Sequence, residues 1–107
     1  MSYFDVNPTS SSEVVILAAG TGTVRFLALG ISNDSAATQI TLTITDGAAG
    51  TVRFRMCLAA GQSQYCFTNS PGSAVLPRTW WTSGNAVVCA LSGSSSVRVF
   101  GEVVREA

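Results

Sequence analysis

Histidine and lysine are absent, and six arginines against six acids leave a formal net charge of zero with only 11% charged residues. Without histidine the chain lacks the commonest acid-base group, the Ser-His and Cys-His nucleophile pairs and the usual zinc ligand. No enzyme chemistry and no cofactor are therefore expected. Zero net charge also argues against nucleic-acid binding, which draws on a basic field. No apolar run approaches the roughly 20 residues that span a bilayer as a helix. The opening MSYFDVNPTSSSE has no basic segment followed by a hydrophobic one, so neither a signal peptide nor a membrane anchor is expected. Cysteine is sparse and odd in number, and Cys57, Cys66 and Cys89 form no CxxC. That disfavours a secreted disulfide scaffold and suits intracellular synthesis.

What is present is apolar and hydroxylic: 47% hydrophobic residues, with 14 Ser and 11 Thr among 107 positions. This is enough to fill one core, and a weakly charged surface keeps copies apart poorly. One self-associating domain is the expectation. Residues 1–12 carry Pro8 and a Thr-Ser-Ser-Ser run without periodicity and read as an extended N-terminal arm. Residues 13–107 read as an all-β domain, because short stretches rich in Val, Ile, Thr and Phe recur between Gly, Ser, Asn and Asp clusters. About eight strands are expected, near 13–18, 24–32, 39–45, 51–58, 63–68, 74–82, 86–91 and 97–104, in an antiparallel two-sheet sandwich.

Registers follow from alternation. Ile40, Leu42 and Ile44 alternate with Thr41, Thr43 and Thr45, so one face is apolar and the other a threonine row. Folding across residues 46–50 sets Ile44, Leu42 and Ile40 against Val52, Phe54 and Met56. A type II′ turn at Gly61-Gln62 sets Leu58 against Tyr65 and Met56 against Phe67. It also leaves Cys57 opposite Cys66, close enough for a disulfide on oxidation. At the C-terminus, a hairpin across Ser92 to Ser96 sets Leu91 against Val97 and Cys89 against Val99. Phe100 and Val104 then face outward, and either an inter-subunit contact or cover within the chain would account for them.

Other constellations carry little chemistry. Gly20-Thr21-Gly22 resembles part of a phosphate loop, but Arg25 replaces the final glycine and strand follows, so it reads as a turn. The acids are scattered singly. Asn33-Asp34-Ser35 matches a glycosylation acceptor and reads as a plain turn. Trp80 and Trp81 must point to opposite sheet faces, one inward and one toward an interface or, alternatively, a stacked sugar, with Tyr65 as a second ring. Arg53, Arg55 and Arg78 could hold partner carboxylates through bidentate contacts.

The segments VRFLALGISNDSAATQITLTITDG, LPRTWWTSG and GNAVVCALSGSSSVRVFGEVV together resemble small jelly-roll or β-sandwich virion proteins of tailed bacteriophages. The likeness covers roughly residues 13–105 and is one of pattern, strongest in the last segment, which looks like a closing hairpin. It implies a non-enzymatic building block, commonly a homotrimer. Such a block would be assembled in the host cytoplasm and bound to the major capsid protein as a decoration (cement) protein. A tail or fibre component, contacting tail proteins, is the nearest variant. A carbohydrate or receptor-binding module is the second expectation, and a hydrolase with carboxylates gathered by folding a distant third.

Overall fold

A computed structural model describes residues 2–48, 50–67 and 79–106. The described elements are all β: β1 (Ser2–Val6), β2 (Val14–Asn33), β3 (Ile40–Asp46), β4 (Thr51–Leu58), β5 (Ser63–Phe67), β6 (Thr79–Leu91) and β7 (Val97–Glu106). Every pairing is antiparallel. Six strands follow the order β1-β7-β2-β6-β3-β4, and β5 joins β2 beside this path. The expected eight strands are thus corrected. The first two are one continuous β2, the sixth and seventh merge into β6 as far as the chain is described, and β1 is additional.

β2 organises the fold. Its first part pairs with β6 from Val14↔Cys89 to Arg25↔Thr79, and its later part pairs with β7 from Thr23↔Glu106 to Asn33↔Val97. β5 then takes the edge of β2 that β6 has vacated, at Leu29 to Ser32. Gly20-Thr21-Gly22, expected as a turn, lies inside this strand. Register shifts around Leu17, Gly20 and Thr21 absorb the irregularity there, as bulges do.

Inward parity changes once along the part of β2 that pairs with β7. Val24 and Phe26 point into the core, and so do Leu29 and Ile31, which alternation alone forbids. Between Phe26 and Ala28 the pairing with β7 slips by one residue, and this bulge restores the inward set. β7 meets the bulge with Gly101, whose φ is +154° and where a Cβ would run into the Ala28 carbonyl oxygen.

Two expected hairpins do not form. β6 and β7 lie on opposite sides of β2, so Leu91 pairs with Leu42 and Val99 with Ile31. β5 pairs with β2, Tyr65 opposite Gly30, and not back onto β4. The bend at Ala59 to Gln62 places Gly61, φ +72°, third in a turn closed by Gln62 N donating to Ala59 O at 3.1 Å. The β3–β4 hairpin does form, but Ile44, Leu42 and Ile40 face Phe54, Met56 and Leu58. A bulge at Arg53 shifts the register and leaves Val52 exposed.

The core is one cluster drawn from six strands, with Val24, Leu42, Leu58, Val87, Val97, Val99 and Val103 fully buried. The expected arm contributes to it. Phe4 is buried against Phe26, edge to face at 5.9 Å, because β1 aligns with β7 from Ser2↔Val103 to Val6↔Val99. Beyond β1, the carbonyls of Pro8, Thr9 and Ser10 accept from Val97, Ser95 and Leu91, which ties these residues to the β6–β7 connection.

Replacing Gly101 by Ala should destabilise the protein by about 2–4 kcal/mol, combining positive φ with the carbonyl collision. Urea denaturation reads the loss, and an unchanged midpoint would contradict the bulge pairing.

Candidate interaction surface

Because Val97, Val99 and Val103 of β7 face the core, Arg98, Phe100, Glu102 and Val104 face out. Pairing brings neighbours onto this outer face. Glu102 lies between Tyr3 and Ala28, Phe100 between Asp5 and Gly30, and Val104 beside Arg25. One strand further, Trp81 adjoins Thr23, which adjoins Glu106. Tyr3 is 81% exposed and Trp81 62%, while Phe100 and Val104 are half-buried. β1 flanks Val99–Val103 of β7 and β6 adjoins β2 only beside Val104–Glu106, so the face is three strands wide at about 4.8 Å spacing and nine residues of β7 long at about 3.4 Å, roughly 15 by 30 Å.

Ion pairs flank it. Arg98 donates to both Asp5 carboxylate oxygens at 2.9 and 2.7 Å, and this hydrogen bonding holds the Asp5 carboxyl below the ordinary aspartate range. The Arg98 guanidinium lies 5.1 Å from the Phe100 ring centre. Arg25 meets Glu106 at 3.1 Å. Glu102, bracketed by Tyr3, Phe100, Val104 and Ala28, meets no cation among the described residues.

The adjacent tryptophans divide as their alternation requires. Trp80 is 8% exposed and stacks on Phe26 at 5.6 Å. Over its ring lies Arg53, 5.7 Å from the centroid. The bulge turns this arginine toward the buried Asp46, whose Oδ2 it approaches at 3.8 Å. Asp46 Oδ1 accepts from the Thr82 hydroxyl at 2.6 Å. Arg53 therefore serves its own chain. Arg55, opposite Thr43, is exposed on β4 and meets no carboxylate among the described residues. The side chains of Tyr65 and Cys66, and all of Arg78, lie outside the described residues.

Cys57 is a free, exposed thiol that accepts a hydrogen bond from Gln39 Nε2 at 2.9 Å. Because β5 leaves β4 for β2, the hairpin register that set Cys57 opposite Cys66 is absent. Cys89 is buried, and desolvation pushes its thiol up to about 12.

Two structural residues escaped the sequence reading. Asn33 is 1% exposed. Its amide donates to the Thr38 and Ala59 carbonyls at 2.8 and 3.1 Å, and its oxygen accepts from Ser95 Oγ at 3.0 Å. The apparent glycosylation acceptor is a buried tie between three loops. Arg105 donates to the carbonyls of Ala18 and Asn85, spanning the irregular stretches of β2 and β6, and Gly20 makes room for it. The small residues Ala18, Ala19 and Gly20 are the one sequence signal for it. Among the described residues no group of three or more His, Cys, Asp or Glu could hold a metal ion.

Compared with known proteins, the chain matches no family model and no curated protein.

Two measurements check this geometry. Trp80→Ala should cost about 3–5 kcal/mol of stability, whereas Trp81→Ala should change it by less than about 1 kcal/mol; equal losses in urea denaturation would contradict the assignment. Iodoacetamide at neutral pH should alkylate Cys57 in the folded protein and reach Cys89 only after unfolding, as peptide mass spectrometry would resolve.

Proposed function

We propose that the protein is a non-enzymatic structural component of a tailed-phage virion, a capsid decoration protein that self-associates and binds the capsid surface. The observation that carries this reading is the outer face of β1, β7 and the adjoining part of β2. There Tyr3, Phe100 and Val104 share one surface, and Trp81 joins it at the edge where Thr23 pairs with both β6 and β7, on a chain with zero net charge. Exposed aromatic rings grouped on one sheet face favour burial against a partner, since large rings bury much area at small entropic cost. The low net charge removes the long-range repulsion between copies.

The finer architecture in this reading is a jelly-roll-like sandwich of two layers. One layer holds β1, β7, the later part of β2 and β5; the other holds the first part of β2 with β6, β3 and β4. β2 runs through both. In support, residues such as Val99 and Leu42, drawn from the two halves, are fully buried in one cluster. The described elements include no helix to cover either face, which favours the two halves covering each other. Partners are then further copies, as a ring such as a trimer, together with the major capsid protein. A tail or fibre position uses the same face against tail proteins.

The exposed Trp81 favours one alternative, a glycan or receptor platform, because a solvent-facing indole can stack on a sugar ring. The two readings separate experimentally. Sedimentation velocity should show concentration-dependent oligomers at micromolar protein, and the protein should co-sediment with capsids assembled without it. Trp81→Arg and Tyr3→Arg should weaken both. A monomer that ignores capsids but changes tryptophan fluorescence on a glycan panel would replace the structural reading with the platform.

A further inference from the structure

We infer that copies of this chain meet head to tail, with the Glu102 face of one protomer seated on the Arg55 face of the next. This rests on the self-association proposed above and specifies its geometry. Glu102 is an acid at the middle of an apolar surround, with Tyr3 and Ala28 beside it across the sheet and Phe100 and Val104 on either side along β7. Covering this patch strips water from the carboxylate. Such a charge is tolerated when it gains a hydrogen-bonded cation and is costly otherwise. The occupant must therefore bring one cation into the centre of a largely uncharged surface.

A face-to-face pair about a two-fold axis through Glu102 fails this requirement, because it sets carboxylate against carboxylate. The chain itself offers the complement elsewhere. Of the arginines among the described residues, Arg25, Arg53 and Arg98 are held by acids of the same chain. Arg105 is held by the Ala18 and Asn85 carbonyls. Arg55 remains. It stands exposed on β4, opposite Thr43, which itself adjoins Ala90 on β6. Thr41, Thr43 and Thr45 line the same outer side. This is a surface of mostly small side chains with one cation not held by an acid of its own chain, matched to a face of large rings whose one acid without a cation among the described residues is Glu102.

In the two-layer arrangement proposed above, the Glu102 face and the Arg55 face lie on opposite layers and cannot both meet the same neighbouring copy, so the contact is heterologous and repeats around a ring where the rotation closes. A stable interface takes about 800 Å² per partner, about 15% of the 5346 Å² the chain exposes.

Sedimentation velocity on the full chain tests the contact by charge reversal, with thermal melting to confirm folding. Glu102→Arg and Arg55→Glu should each weaken association by about tenfold or more. The double variant, which restores opposite charges across the same contact, should recover to within a few-fold of the original chain. Should either reversal fail to fold, Glu102→Gln and Arg55→Gln probe the same contact through a smaller loss. An oligomer indifferent to Arg55→Glu, or a double variant no better than the singles, would overturn the head-to-tail contact and leave self-association standing. A monomeric unmodified chain would overturn both.

Discussion

The fold depends on β2 keeping an apolar inner face over its whole length while it exchanges hydrogen-bonding partners. A strand has only one inward parity, and a slip of one residue turns its entire apolar set to solvent. β2 has to place one set inside first, Ile16 and Val24 where β6 is its neighbour and Phe26 opposite Val103 of β7, and a second set, Leu29, Ile31 and Asn33, inside further on, where β7 and β5 flank it. These two sets have opposite parity, and the extra residue between Phe26 and Ala28 reconciles them. Gly101 is the other half of that solution, since the bulged backbone comes so close that β7 has no room for a side chain there. Sequence, backbone geometry and core composition meet at this point.

The polar residues inside the molecule work at the ends and irregularities of strands. Asn33 closes β2 and bonds to three loops. Arg105 satisfies carbonyls where the pairing of β2 with β6 breaks step. Asp46 ends β3, held by Thr82 and approached by Arg53. Asn33 and Arg105 supply hydrogen bonds to backbone carbonyls where a ladder cannot, which is where buried backbone would otherwise be left unpaired, while Asp46 holds two side chains together at the end of β3. Such ties favour a rigid framework, and a rigid framework presents its outer side chains at fixed spacing, which lowers the entropic cost of association.

Local signals were legible and non-local ones were not. The alternation in Ile40 to Thr45 gave β3 its faces, and the β-branched stretches located most strands to within a few residues. Pairing went wrong where the nearest strand in sequence was not the nearest in space. Nothing local in Leu91 or Val97 says that β2 will stand between them, because that depends on the parity and length of a strand some sixty residues earlier. The two-residue error in the β3–β4 register has a similar origin. The turn closes at Asp46↔Thr51, one residue off the expected register, and a bulge at Arg53 adds a second, whose reason, Asp46 beside Trp80, exists only after folding. Phe4 was legible as apolar but not as core, since its partner Phe26 lies on a strand that reaches it only through β7. At the surface, alternation correctly separated Trp80 from Trp81 and turned Phe100 and Val104 outward. It could not show that Arg53 is spent internally.

That last distinction bears on how so weakly charged a molecule could choose its partners. With 11% charged residues, most of them engaged within the chain, the outer faces carry little electrostatic texture, and apolar contact alone discriminates poorly because it has no direction. Specificity then falls to whatever charges are left unspent. A single carboxylate amid rings contributes little to affinity, because its desolvation cost roughly cancels its attraction to a cation. It contributes much more against wrong pairings, since a copy arriving in the two-fold orientation, or any surface without a cation in reach, must bury that carboxylate unpaired. In a chain with so few charges, one acid placed at the centre of an apolar face can therefore decide orientation while ring burial supplies most of the binding energy.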